Sequence, residues 1–394
     1  MSAPYQVSEA TEVKEAALGP SQPSSRLVSL DVFRGLAIVL MLLVNNCGEW
    51  PYYYSPLIHA EWHGFHLADL VFPSFVGIMG VSVVYGLAAV RPDGARHRPA
   101  LGRVARRVAV LVVLGLLIGL IPNFYFTSFR IPGVLQRLGL VYGVCAVLYL
   151  KTTWRQQVWL AVGLLVLYAA LLQLVPVPGI GPANLEPATN LGAWLDRLLF
   201  SRHHLNHDQE GWDPESVLGL IPSVGTGILG LLAGQWLRRP TLDGSTKAAW
   251  LFVVSAGLVV LGLIWNGWFP INKPLWTSSY VLYAGGLAGL VLAALYFLCD
   301  VQGWRGAWTW PLVACGSNAL LVFFVPEALD RFLTRFRFHH PDGSVFYARD
   351  WLYAHWRPLF TDAYHASLGW AVVYTLLWVL ILSVLYRRRL FFTA

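Results

Sequence analysis

Apolar residues in this chain come in long runs, and the runs recur from residue 27 to residue 386. A helix needs about 20 consecutive apolar residues to cross the hydrocarbon core of a bilayer. Ten segments approach that length: Leu27–Asn45, Ala68–Val90, Val104–Ile121, Val134–Leu150, Val158–Val175, Val217–Leu237, Ala248–Trp265, Ser278–Cys299, Trp310–Leu329 and Leu368–Tyr386. Polar linkers separate them and no fixed-period repeat is visible. The pattern predicts an all-α fold, a polytopic transmembrane helix bundle of about ten spanning helices. Residues 26–394 read as a single transmembrane domain.

The linkers alternate in charge, and this predicts orientation. One set holds Arg26, then Arg91, Arg96, Arg98, Arg103, Arg106 and Arg107, then Lys151 and Arg155, then Arg238, Arg239 and Lys247, then Arg305, then Arg387, Arg388 and Arg389. The other set begins with loop 46–67, which has neither Lys nor Arg. Basic short loops stay on the cytoplasmic side, so both termini are expected inside. Loops 46–67, 122–133, 176–216, 266–277 and 330–367 then face outward. The last contains five Arg, but it is long, and long loops weigh less in the rule. Residues 1–25 are polar, rich in Ser, Pro, Glu and Ala, and lack a basic-then-apolar signal-peptide layout; a disordered cytoplasmic tail is expected there.

Composition narrows the class. Of 394 residues, 56% are hydrophobic and 12% are charged, against about 25% charged in soluble chains. That deficit asks for apolar solvent, so a lipid bilayer is the first partner. The 18 Trp, 17 Tyr and 20 Phe often sit at the edges of apolar runs, as in interfacial aromatic belts. The net charge of +7 is then a topology signal, and no nucleic-acid partner is needed. The four cysteines show neither CxxC nor metal-type spacing, so no disulfide framework is expected.

Polar groups in spanning segments are costly and mark candidate sites. Asp31 and Arg34 lie three apart at the start of the first segment; they read as a helix cap with a snorkelling Arg, or as a contact for an anionic cofactor. Asn45 and Asn46 end that helix, either as a C-cap or as amides that orient a polar substrate. In the next loop His59, Glu61, His63 and His66 crowd the mouth of the second helix, near Asp69. A carboxylate there suits the helix dipole, and it also suits the holding of an imidazole in one tautomer. Arg130, Gln136 and Arg137 converge on another helix start, which fits interfacial anchoring or a phosphate. Asn266, Asn272 and Lys273 precede the eighth segment; Ser317 and Asn318 lie within the ninth, where interhelical hydrogen bonds would explain them. The histidines His203, His204 and His207 beside Asp208 and Trp212, and His339, His340, His355 and His365, read as wet-loop residues, and no metal is expected.

At these residues the sequence resembles the heparan-α-glucosaminide N-acetyltransferase family. The resemblance is carried by Ser29–Gly35, His59–Gly64, Ala68–Pro73, Arg130–Gly139 and Asn272–Trp276, in that order, and runs from about Arg26 to the ninth segment. It implies transfer of acetyl from cytosolic acetyl-CoA, as co-substrate, to the amine of a glucosamine-type sugar on the outer side. It also implies that His59 is the key histidine, as general base or as carrier of the acetyl group, with Asp69 orienting it and Asn45 donating to the developing oxyanion. Arg34, Arg130, Gln136, Arg137, Asn272, Lys273, Trp276, Ser317 and Asn318 are the residues expected to bind the donor. The likeness to bacterial members makes the inner (plasma) membrane the expected location. Loop 176–216 departs from the family's pattern, as does the absence of the lysosomal enzyme's N-terminal luminal segment. A membrane O-acyltransferase for a surface glycan and a sugar transporter are the alternatives; oligomeric state stays open, with a homodimer among the options.

Overall fold

A computed structural model describes residues 27–392 except 93, 123, 207–210, 336 and 340–344. The helices are α1 (Val28–Asn45), α2 (Val71–Leu87), α3 (His97–Leu120), α4 (Val134–Lys151), α5 (Trp154–Leu174), α6 (Leu191–Phe200), α7 (Leu220–Leu237), α8 (Gly244–Trp265), α9 (Ser278–Tyr296), α10 (Thr309–Ser317), α11 (Ala319–Leu333), α12 (Ala348–Trp356) and α13 (Ala363–Arg387). A 3-10 turn, Leu67–Leu70, leads into α2, and a π turn, Phe297–Val301, extends α9. A short antiparallel hairpin pairs Arg337–His339 with Val345–Tyr347.

Among the described residues, eight helices are long and apolar enough to cross a membrane, or nine if α10 and α11 form one broken span. The segment expected at Val104–Ile121 is the end of α3, whose first half carries Arg103, Arg106 and Arg107. The segment expected as one helix at Trp310–Leu329 is instead two helices bent by 75°. Asn318 sits at the break; its Nδ2 donates to the Leu390 carbonyl at 3.1 Å and its Oδ1 accepts from the Phe392 amide at 2.9 Å. Those bonds reward an open turn over a continued helix. Ser317 bonds within its own helix, to the Val313 carbonyl at 2.7 Å.

The bundle packs through small residues. A Cβ on Gly80 would strike the Gly227 carbonyl, and one on Gly230 would strike that of Gly77, so α2 and α7 meet backbone to backbone. Gly35 of α1 is held the same way against Leu312 of α10.

Contacts between linkers define two ends. At one, the Asp300 carboxylate of the π turn accepts from the Val28 and Ser29 amides at 3.1 and 3.0 Å. It therefore satisfies the start of α1, a task expected of Asp31. Asp31 pairs instead with Arg34 at 3.1 Å, and Arg34 also donates to Ser82 of α2 at 3.0 Å. At the other end, loops 46–67, 122–133, 176–216, 266–277 and 330–367 meet. Gly64 bonds Ile271, Trp62 bonds Leu185, Ile131 bonds His204, and Arg349 bonds Cys47.

Candidate active site

The site grows from the 3-10 turn that opens α2. Its Asp69 is buried, with a side chain 1% exposed. One oxygen accepts from the His66 amide at 2.9 Å and the Ala60 amide at 3.2 Å. The other meets His59 Nδ1 at 2.8 Å. The turn thus fixes a carboxylate, and the carboxylate fixes an imidazole ten residues before it. With Nδ1 donating to Asp69, Nε2 is the acceptor nitrogen of the His59 ring.

Lys273 completes this centre from the α8–α9 loop. Its Nζ lies 3.0 Å from His59 Nδ1, 3.1 Å from Nε2 and 3.6 Å from Asp69 Oδ1. Burial pulls the Lys273 amine below the usual lysine range, with Asp69 and Glu215 opposing that shift. Burial likewise pulls the His59 imidazole below the usual histidine range; the Asp69 hydrogen bond opposes this and the Lys273 charge adds to it. Both effects favour a neutral imidazole at neutral pH.

The neighbouring residues hold Lys273 in place. Asn272, fully buried, accepts from the Leu275 amide at 2.7 Å through Oδ1, and its Nδ2 lies 3.3 Å from His63 Nδ1. Trp276 adopts φ +55°, rare for a bulky side chain. Its indole donates to Thr226 of α7 at 3.1 Å and its ring carries the Arg137 guanidinium at 5.1 Å. A positive φ here lets the loop turn into α9 while Trp276 stays 1% exposed.

Arg130 and Arg137 converge, as expected, but on protein carboxylates. Arg130 grips Asp213 with both arms, at 2.8 and 2.6 Å. Arg137 lies 3.1 Å from Glu215 and donates to the Pro214 and Ser216 carbonyls. The segment 213–216 is therefore strapped across the bundle, and Glu215 acts electrostatically on both His59 and Lys273. Arg137 still keeps one buried terminal nitrogen, Nη1, without a hydrogen-bond acceptor. Asp213 and Glu215 are not foreseen from the sequence; the only hint is two carboxylates in a loop on the same side as two arginines.

The remaining expected residues lie elsewhere. Asn45, Arg130 and Gln136 line a cavity of about 260 Å³ with Glu327, Asp330 and Arg331 of α11. No hydrogen bond joins Asn45 to His59, Asp69 or Lys273 among the described residues. Asn46 closes α1 through its side chain, donating to the Leu42 carbonyl at 2.8 Å, without a left-handed backbone. Arg34, Ser317 and Asn318 belong to the contacts described for the fold. His66 bonds the Ile58 carbonyl at 2.9 Å, and His204 bonds that of Phe129 at 2.9 Å. His207, Asp208 and His340 lie outside the described residues.

Known proteins are similar to this chain. Residues 26–263 match the family described as heparan-α-glucosaminide N-acetyltransferase, catalytic. The chain is 32% identical over 422 residues to the heparan-α-glucosaminide N-acetyltransferase of Homo sapiens, covering 93% of this chain and 59% of that protein. It is 33% identical over 424 residues to the Mus musculus protein of the same name, with coverages of 93% and 60%. The chain thus spans about three fifths of the length of the curated relatives it matches.

Proposed function

Because the chain belongs to the heparan-α-glucosaminide N-acetyltransferase catalytic family, we propose that it is a transmembrane acetyltransferase that uses acetyl-CoA from the basic, cytoplasmic side. The acceptor is an amine of a glucosamine-type sugar on the opposite side. The observation that carries this reading is the His59–Asp69 pair, with its 2.8 Å bond and its anchoring by two backbone amides.

Asp69 holds the Nδ1–H tautomer, so Nε2 can take a proton. In the direct route Nε2 removes it from the acceptor amine as that nitrogen bonds to the thioester carbonyl carbon. The carbon–sulfur bond breaks and the thiolate leaves, to be protonated in turn. In the two-step route Nε2 bonds the carbonyl carbon first and the thiolate leaves as the carbon–sulfur bond breaks; the amine then bonds that carbon, the carbon–Nε2 bond breaks, and the freed imidazole takes the amine's proton. Labelled acetyl-CoA without acceptor separates them: protein-bound label supports the two-step route, and none leaves the direct one.

One buried group fits an anionic donor. The orphaned Nη1 of Arg137 is a buried donor awaiting an acceptor. The cavity at Asn45, Arg130 and Gln136, about 260 Å³, is below the range of a whole cofactor pocket (roughly 300–1,000 Å³) and suits one end of the molecule. Asn45 therefore serves the donor rather than the imidazole. A His59→Ala variant is expected to bind acetyl-CoA while transfer falls to background; normal turnover would overturn the reading. An acceptor screen of amino sugars against hydroxyl-only sugars tests the amine: acetylation of the latter alone would make it an O-acyltransferase.

A further inference from the structure

A large cavity lies away from the imidazole. Helix α5 packs chiefly on α7, and α8 chiefly on α9. Between α5 and α8 runs a crevice of about 950 Å³, floored by α2, α7 and α9. Its walls are apolar: Val162 and Val166 on α5, Val254, Leu258 and Leu261 on α8. Four of those five are exposed, Leu258 being half-buried, so the crevice opens sideways toward lipid. From Trp250 to Trp265 it follows α8 for about 22 Å, at about 1.5 Å per residue. That exceeds the roughly 15 Å of hydrocarbon in one leaflet.

One end of the crevice is of different character. Arg91, Arg238 and Arg239 line its mouth beside Trp154, Trp236 and Trp250. Among the described residues none of the three arginines has a carboxylate partner. Arg91 donates to Gln235 at 2.8 Å and to the Thr152 carbonyl at 2.9 Å. It also lies 4.5 Å over Tyr149, as Arg238 lies 5.5 Å over Tyr85 and Arg239 4.6 Å over Trp236. Arg238 and Arg239 are exposed. Guanidinium forks match phosphate oxygens, and tryptophans sit at headgroup level.

We propose that this crevice binds an anionic phospholipid. Its acyl chains lie along α5 and α8, and its phosphodiester is held by Arg238 and Arg239, with Arg91 behind them. Charge and shape both enter the choice. A zwitterionic lipid supplies the chains but cancels its own phosphate, and free phosphate supplies the charge without the chains. The lipid fills a gap that protein side chains leave open and ties α5 and α8 to the bundle. The floor also reaches Thr226, whose hydroxyl receives the Trp276 indole.

The test uses the full chain purified in detergent, with native mass spectrometry and thermal unfolding. Phosphatidylglycerol is expected to stay bound and to raise the melting temperature saturably, while phosphatidylcholine and inorganic phosphate do not. The double variant Arg238→Gln/Arg239→Gln should weaken phosphatidylglycerol binding by about tenfold or more. Leu258→Trp should reduce it with every arginine intact. Equal retention of both lipids, unchanged binding in the double variant, or a full effect from inorganic phosphate alone would each overturn the proposal. So would displacement of the lipid by acetyl-CoA, which would assign the crevice to the donor. If a variant does not fold, the comparison of the two lipids on the unaltered protein decides.

Discussion

His59 and Lys273 face each other across about 3 Å, with Nζ 3.0 and 3.1 Å from the two ring nitrogens. Only one of them can comfortably carry a positive charge. Burial holds His59 below the ordinary histidine value of about 6.5. A group so shifted stays neutral, and fit to act as base, as pH falls past 6.5. The acid limb of kcat/KM should therefore lie below pH 6.5, and a limb centred above it would count against His59 as the base. The Lys273 charge adds to the downward shift. Lys273→Met should then move the acid limb to higher pH, which a pair of pH–rate profiles would show. An unmoved limb would separate Lys273 from the titration. Much of this centre is legible in the sequence: His59 and Asp69 sit ten residues apart in one loop and turn. Lys273 and Asn272 are legible as costly polar groups and through the family resemblance, but not as neighbours of His59, because no local pattern tells which distant loop they meet.

At the scale of elements, the strap 213–216 matters most. Asp213 has a fully buried side chain, and Arg130 bonds it with two arms. Removing one partner of such a pair leaves a charge uncompensated. Asp213→Asn should cost about 3–5 kcal/mol of stability, measured by thermal unfolding in detergent. A drop well under 1 kcal/mol would mean that the pair is solvated. Sequence position hides the strap, since Asp213 lies 83 residues from Arg130 and nothing local joins the two. The apolar spans are read well because their signal is local and summed over some 20 residues. The bend at Asn318 is missed because the apolar run continues through it, and the bonds that open the turn come from residues 390 and 392.

The whole molecule has one end where the arginine-rich linkers meet and another where the catalytic candidates gather. The proposed orientation puts the second end outside. The four native cysteines are buried, so single added cysteines report cleanly. Glu61→Cys should react with an impermeant maleimide in intact cells, and Ser245→Cys only after permeabilisation. The reverse pattern would invert the orientation and place the imidazole with the donor's own compartment. The orientation is a proposal that rests on charge alone, whereas the meeting of five loops at one end emerges only from the folded chain.

The Asp300 carboxylate that closes the start of α1 has a consequence in time. It lies 272 residues downstream of Val28. A ribosome adding about 5–20 residues per second reaches it roughly 14–54 s later. Throughout that interval α1 is already made while its leading amides lack their partner. A nascent chain released anywhere before residue 300 never acquires it, so the helix that precedes the candidate catalytic loop is completed only after about three quarters of the chain has been made.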